Sequence, residues 1–206
     1  MQKESGRTKI MKNETIFEKE AEKRGWSKEY AEVRKTAKSL ETKCLGYAYI
    51  PFQTFVSLKI LMANNLTTVV ELPTGCGKSY IAAIVAEQYR KLGLRIAIVT
   101  THSFLAEQLK KMLGPLRFDI KVMTMQKALT KVDEFDAFVL DEADACLWEL
   151  GSIVDIQNDK VAGFWDLLRK RTVLLTANIS SNFDEIMTIA FGVERESYLK
   201  FEKLIQ

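Results

Sequence analysis

The sequence predicts an α/β domain in which a mostly parallel β-sheet carries helices on both faces. From Gly46 onward, five short apolar or β-branched runs alternate with five stretches of helical periodicity. This alternation favours parallel strand pairing, because a helix between two strands returns the chain to the end of the sheet at which the first strand began. Hydrophobic residues make up 47% of the chain, which is enough for a hydrophobic core.

Each predicted strand is a short run rich in apolar or β-branched side chains. The five strands are Leu66–Leu72, Leu94–Thr100, Phe118–Met123, Asp136–Leu140 and Thr172–Leu175. The helical stretches that alternate with them are Ser79–Leu92, Phe104–Leu113, Met125–Lys131, Val161–Lys170 and Asn182–Ala190.

Residues 1–45 are predicted to form a partly flexible N-terminal helical extension before a domain that spans residues 46–206. Residues 1–13 are polar. Apolar residues at helical spacing then predict a short helix at Ile16–Lys23 and a longer one between Ser27 and Lys43.

Composition and charge favour an intracellular protein. The N-terminus mixes acidic and basic residues without an apolar signal segment, and no run is long enough to span a bilayer, so we expect neither secretion nor a membrane partner. The three cysteines show no CxxC spacing, which fits reduced thiols. The net charge of +3 is too small to indicate a nucleic-acid partner by itself.

The sequence PTGCGKS, residues 73–79, has the properties of a phosphate-binding loop between a strand and a helix. Glycines let backbone amides curl around phosphate oxygens, and the N-terminus of the following helix favours an anion. Lys78 is expected to reach the terminal phosphates of ATP, and Ser79 to place its hydroxyl on Mg²⁺. The predicted nucleotide-binding residues of this loop are Pro73, Thr74, Gly75, Cys76, Gly77, Lys78 and Ser79.

The acidic sequence Asp141-Glu142-Ala143-Asp144 follows the apolar run of a predicted strand. Beside a phosphate loop, the first carboxylate is suited to hold Mg²⁺ and the second to orient and polarise an attacking water. We therefore predict Ser79 and Asp141 as metal ligands, and Lys78, Asp141 and Glu142 as catalytic residues.

Together these segments resemble the first RecA-like lobe of superfamily 2 helicases, the group that includes DEAD-box ATPases. PTGCGKS is similar to their motif I, and LDEAD is similar to their motif II. Upstream, Pro51-Phe52-Gln53 resembles the segment in which a glutamine recognises adenine, so the resemblance implies that Gln53 selects ATP. The similarity covers about residues 46–190.

Three further segments resemble helicase motifs. The segment IVTTHSFLAEQ is similar to motif Ia, which implies that Thr101, His102 and Ser103 contact the backbone of RNA or DNA. KVMTMQKAL is similar to a further strand-end segment, which adds Thr124 to these contacts. LLTAN resembles motif III, so Thr176 and Asn178, with Asp144, are expected to couple ATP binding to nucleic acid.

The resemblance also predicts what the chain lacks. Some helicases of this superfamily hold an iron–sulfur cluster between motifs I and II, but no cysteine lies between Lys78 and Asp141, so we expect no such cluster. A complete motor has two RecA-like lobes, and the second supplies arginines that stabilise the transferring phosphoryl group. The residues after motif III contain Arg195 but no paired-arginine motif. We expect weak hydrolysis unless a second lobe acts in cis or in trans.

Two other functions fit the same sequence. One is a helicase-derived structural or nucleotide-binding subunit that contacts a larger assembly through its N-terminal helices and the region of Trp148 and Trp165. Tryptophan side chains are usually largely buried, so these two are expected in the core. The other is a phosphate-loop NTPase unrelated to nucleic acid, against which the motif Ia and Gln53 segments argue.

Overall fold

A six-stranded, all-parallel sheet is the framework of the fold in the computed structural model, which describes residues 16–40, 51–113, 119–154 and 158–201. The strand order is β3-β2-β4-β5-β1-β6. The strands are β1 (Thr67–Glu71), β2 (Ile96–Thr100), β3 (Ile120–Thr124), β4 (Ala137–Asp141), β5 (Arg171–Thr176) and β6 (Tyr198–Lys200). All five predicted strands are confirmed close to their predicted bounds, and β6 was not predicted.

Helices connect the strands and cover both faces of the sheet. The helices of the described residues are α1 (16–23), α2 (Ser27–Leu40), α3 (Pro51–Met62), α4 (Lys78–Lys91), α5 (Ser103–Leu113), α6 (Met125–Leu129), α7 (Ala143–Val154), α8 (Asn158–Leu168) and α9 (Ser181–Glu185). A π-helical turn, Ile186–Ala190, extends α9, and 3₁₀ turns lie at Val132–Glu134 and Arg195–Ser197. The predicted α/β class, with helices on both faces, is therefore confirmed.

Alternate residues of each strand enter two separate hydrophobic layers. Val70, Ile98 and Val139 face the layer that contains α2 to α5, whereas Val69 and Val99 face the layer that contains α6 to α9. This alternation follows from the two-residue repeat of a strand. Because both faces are covered, the central strands read as continuous apolar runs rather than alternating ones.

The N-terminal helices share the first of these layers with the sheet. Phe17 of α1 and Val33 of α2 belong to the same buried cluster as α4. The hydroxyl of Tyr80 on α4 also donates a hydrogen bond of 2.5 Å to the Ala37 carbonyl. The predicted boundary between residues 45 and 46 lies in 41–50, outside the described residues, so the division into extension and domain stays a prediction.

Two helices were not predicted, and each is apolar around most of its surface. α3 buries eight of its twelve residues, so its sequence lacks the polar face that marks an amphipathic helix. α7 begins at Ala143, the third residue of the acidic motif. None of the described helices is long and apolar enough to cross a bilayer.

The expectation that both tryptophans lie in the core was wrong. Trp148 is 71% exposed, and Trp165 is 37% exposed. Among residues 143–148 of α7, the buried ones are Ala143, Cys146 and Leu147, at the spacing of a single helical stripe. Trp148 follows that stripe by one residue and therefore turns away from the core.

Candidate functional site

The segments singled out in the sequence meet at one edge of the sheet. Because every described strand pair is parallel, the carboxyl ends of the strands lie side by side. Asp141 ends β4, and Thr176 ends β5 opposite Glu71 of β1, from which the chain enters the phosphate loop. β5 lies between β1 and β4, so one strand separates the phosphate loop from the acidic motif.

The phosphate loop leads straight into α4, whose first residue is Lys78. Gly77 has a φ of 82°, which strongly favours glycine, and its carbonyl accepts the N–H groups of Tyr80 and Ile81 at 3.0 and 3.1 Å. Thr74 and Gly75 are exposed, and Pro73 is half-buried. Sequence and structure therefore agree on a strand, a glycine-containing turn and a helix N-terminus.

Gln53 of α3 lies against the phosphate loop. Its side chain is 6% exposed, and Nε2 donates a 3.0 Å hydrogen bond to the Cys76 carbonyl. A Cβ atom placed on Gly77 would lie 2.2 Å from this Nε2. The sequence did not predict this contact, which gives Gln53 a part in holding the loop. Recognition of adenine by Gln53 stays a prediction.

Ser79 and Asp141 connect the loop to the acidic motif. The Ser79 hydroxyl donates a 2.6 Å hydrogen bond to Asp141 Oδ2. Asp141 is 6% exposed, and this burial raises the pKa of its carboxyl, although the Ser79 hydrogen bond acts in the opposite direction. The two predicted metal ligands are thus neighbours in space.

Lys78 and Glu142 form a second link between the same two segments. Lys78 Nζ lies 3.2 Å from Glu142 Oε1, and the lysine side chain is only 8% exposed whereas the glutamate is 43% exposed. Glu142 has a φ of 57°, the only positive value for a described residue other than glycine. Such backbone strain persists where surrounding contacts hold it, and it is common at functional sites.

The donor set fits Mg²⁺ and a nucleotide phosphate. Asp141 Oδ1 is buried without a hydrogen-bond partner among the described residues, next to the Ser79 hydroxyl. Hydroxyl and carboxylate oxygens are ligands that Mg²⁺ prefers, and a cation favours the ionised carboxylate despite its burial. Lys78 supplies the positive charge that a phosphate needs.

Cys76 is half-buried in the loop and carries no functional contact through its thiol. Burial raises the pKa of that thiol more than the nearby Lys78 ammonium lowers it. The thiol is therefore protonated at neutral pH and is not suited to act as a nucleophile.

Two of the three predicted coupling residues, Thr176 and Asn178, contact each other. Thr176 Oγ1 accepts from the Asn178 N–H at 3.3 Å and lies 3.1 Å from the Asn178 carbonyl, so these two form a local turn after β5. Asp144 lies on α7, and its buried Oδ1 has no hydrogen-bond partner in the described part of the chain. Coupling of ATP binding to nucleic acid by Asp144, Thr176 and Asn178 stays a prediction.

The predicted nucleic-acid residues lie at the carboxyl ends of β2 and β3, farther along the same edge of the sheet. Thr101, His102 and Ser103 follow β2, and Thr124 ends β3, the neighbouring strand, opposite Thr100. His102 and Ser103 are exposed, whereas Thr101 is buried and Thr124 is half-buried. Phe104, the next residue of α5, is 68% exposed, and sequence analysis did not single it out. The signal that could have identified Phe104 in the sequence was its position directly after a polar loop at a strand end.

Comparisons with known proteins identify related structures but no sequence family. No family model matches the chain, and no curated protein matches its sequence. The crystal structure of the Pyrococcus furiosus Hef helicase domain matches 73% of this chain and 37% of that chain, with a TM-score of 0.52 and 17% identity. A hypothetical ATP-dependent RNA helicase from Sulfolobus tokodaii matches 73% of this chain and 57% of that chain, with a TM-score of 0.46 and 18% identity.

The likeness to the Hef helicase domain shows the fold. The all-parallel sheet flanked by helices is the RecA-like fold of helicase domains, as the sequence resemblance implied. This chain spans less than two thirds of the length of each of these two structures. The likeness therefore extends to the fold, and the role, ligands and activity of this chain are matters for proposal.

Proposed function

We propose that this chain is an ATP- and Mg²⁺-binding RecA-like lobe of a nucleic-acid-dependent ATPase, a helicase or translocase of superfamily 2. The proposal rests on two contacts at the carboxyl ends of the strands. Lys78 pairs with Glu142, and Ser79 pairs with Asp141. A lysine, a hydroxyl and two carboxylates placed together after two parallel strands are the groups that phosphoryl transfer to water requires.

Each side chain has a distinct task in this proposal. Lys78 exchanges its contact with Glu142 for the terminal phosphates of ATP, so the glutamate becomes free to orient water and accept its proton. Ser79 and Asp141 hold Mg²⁺, which when bound neutralises charge on the phosphate oxygens. Gln53 keeps the loop in shape through the Cys76 carbonyl and presents the rest of its amide to adenine.

The proposed nucleic-acid contacts lie beyond β2 and β3. His102 and Ser103 offer polar groups to the sugar-phosphate backbone, and Thr101 and Thr124 line the same edge. The exposed ring of Phe104 adds a surface on which a base can stack. A polar strand end with an adjacent exposed aromatic side chain suits a single strand of RNA or DNA.

The proposal includes a second RecA-like lobe, in cis or in trans, that supplies the stabilising arginine. Arg195, in the described segment after β5, forms a 2.7 Å ion pair with Asp184. This guanidinium already has a carboxylate partner in the same segment. We therefore expect the chain by itself to bind ATP better than it hydrolyses ATP.

Steady-state ATP hydrolysis tests the proposal. Turnover is measured with Mg²⁺, with and without single-stranded RNA or DNA, for the wild type and for Glu142→Gln. Weak turnover that a polynucleotide stimulates, and that the variant lacks, is the expected result. Phe104→Ala should reduce the stimulation without changing ATP affinity. Turnover that no polynucleotide alters would instead identify an NTPase unrelated to nucleic acid.

A structural or nucleotide-binding subunit is the second candidate function. The strongly exposed Trp148 favours it, because this side chain offers a contact surface for a larger assembly. ATP binding without turnover under every condition, including an added second lobe, would support this candidate and contradict a motor.

A further inference from the structure

A groove on the α7–α9 side of the sheet is not explained by the proposed ATPase function. It has a volume of about 300 Å³ and lies between the first turns of α7 and the length of α9, from Ser180 to Ile186. Buried Leu147 and Phe183 form its apolar floor. We call it the acidic groove, because its lining includes Asp144 and Glu185 but no basic residue.

One wall of the acidic groove combines a carboxylate with an indole. Asp144 and Trp148 are four residues apart on α7, so they lie on the same face of the helix, one turn apart. Oδ1 of Asp144 is buried without a hydrogen-bond partner among the described residues. A buried carboxylate oxygen without a donor is unfavourable, and a donor that enters the groove would relieve it.

The opposite wall comes from α9. Glu185 and Ile186 are exposed and complete the lining there, and the π-helical turn begins at Ile186. π-helical turns occur frequently at functional sites. An apolar floor, two carboxylates and a largely exposed indole thus converge on one concavity.

We propose that the acidic groove binds an arginine side chain presented by a partner polypeptide. A guanidinium stacks flat on an indole ring and carries five N–H donors that match carboxylates, so it uses Trp148, Asp144 and Glu185 at once. Its aliphatic stem lies along Leu147 and Phe183. The negative wall repels phosphate, which makes a protein the occupant rather than a nucleic acid.

The test observes the Trp148 indole directly. The chain has three tryptophans, so the indole N–H signals of ¹⁵N-labelled protein are few, and Trp148→Phe assigns the relevant one. The probes are the tripeptide acetyl-Ala-Arg-Ala-amide and its citrulline counterpart, which has nearly the same shape but no charge. We expect a saturable shift of the Trp148 signal with the arginine peptide and at least about fivefold weaker binding of the citrulline peptide.

Two glutamate variants test whether the arginine peptide binds in the acidic groove. Glu185→Gln, in the groove, should weaken binding of the arginine peptide about threefold to fivefold, as expected for loss of one partly exposed charge pair. Glu196→Gln, outside the groove, should leave it unchanged. Circular dichroism confirms that both variants are folded.

Three results would overturn the inference. The first is no saturable shift at 20 mM arginine peptide, and the second is equal affinity for the citrulline peptide. The third is displacement of the arginine peptide by single-stranded oligonucleotides, which would assign the groove to nucleic acid. None of these results depends on whether the chain hydrolyses ATP.

Discussion

Lys78 Nζ lies 3.2 Å from Glu142 Oε1, so a single ion pair joins the phosphate loop to the acidic motif. The same two segments are joined by the Ser79–Asp141 hydrogen bond. A nucleotide phosphate would compete with Glu142 for Lys78. The glutamate is therefore both the proposed catalytic base and a competitor for the lysine that binds the substrate.

Glu142→Gln should lower turnover while improving ATP binding. The amide cannot accept a proton from water, which typically costs about 10²- to 10⁴-fold in rate. It also frees Lys78 from a charged competitor, and we expect ATP affinity to rise by a few-fold. Calorimetric titration and steady-state kinetics measure the two effects. Unchanged turnover would remove Glu142 from catalysis, and weaker ATP binding would contradict the competition.

Lys78→Ala should weaken ATP binding by about 10- to 100-fold, because it removes a charged donor to the terminal phosphates. The side chain is buried but makes its ion pair with a half-exposed glutamate, so we expect the fold to persist. Titration with a fluorescent ATP analogue measures the affinity, and circular dichroism measures the fold. Lys111→Ala, on the exposed surface of α5, is the control. Equal affinity of Lys78→Ala and wild type would refute the phosphate-loop assignment.

Gly77→Ala should destabilise the protein more than Gly75→Ala. Both glycines have a positive φ, 82° and 79°, which disfavours alanine by about 1–2 kcal/mol. Only at Gly77 would the new Cβ meet Gln53 Nε2, at 2.2 Å, and displace its hydrogen bond to Cys76. Urea denaturation measures the free energy of unfolding of each variant.

Repeating this comparison in a Gln53→Ala background tests the steric explanation. Without the amide there is nothing for the Gly77 Cβ to displace, so the difference between the two glycine variants should largely disappear. A difference of the same size in both backgrounds would show that Gln53 is not its cause.

Gln53→Ala should weaken binding of both ATP and GTP and also narrow the preference for ATP. The shared loss follows from the contact with the Cys76 carbonyl, which supports the loop for either nucleotide. The narrower preference follows if the remaining amide groups recognise adenine. Competition titrations measure the loss of affinity for each nucleotide and the ratio of the ATP affinity to the GTP affinity. An equal loss for ATP and GTP would restrict Gln53 to loop support.

The Cys76 thiol should react slowly with maleimide at pH 7. Burial raises its pKa, so less thiolate is present at neutral pH than for an ordinary thiol, and the rate should increase as the pH rises through the raised pKa. Mass spectrometry of a Cys44→Ser variant follows modification of Cys76, since Cys146 is buried. Mg²⁺ and ATP should slow it further. Reaction faster than that of free glutathione at pH 7 would contradict the burial effect.

The residues of the candidate site were predictable where a local pattern coincided with a strand end. PTGCGKS and DEAD each follow an apolar run, and parallel strands place such ends together, so the proximity of Ser79 and Asp141 followed from the sequence. The sequence did not reveal that β5 lies between β1 and β4, because strand order depends on long-range packing.

Contacts made by helices without a polar face were not predictable. α3 is buried on most sides, so its sequence shows no alternation of apolar and polar residues at helical spacing. The position of Gln53 against Cys76 depends on tertiary packing and could not be read from the sequence. The acidic groove was missed for a related reason, since Trp148 and Glu185 come from separate helices. The strand β6 has only three residues, which is too short for an apolar or alternating sequence pattern to predict it.

The placement of β5 beside β1 has a consequence for how the protein folds. Thr67 pairs with Thr172, and the Leu72 N–H donates to the Thr176 carbonyl, so the strand before the phosphate loop is aligned by a strand from much later in the chain. Contacts between such distant residues close large loops and form slowly. The strand that leads into the phosphate loop is therefore fixed in the sheet only after β5 has been synthesised and docked. During synthesis, ATP affinity should appear late and abruptly.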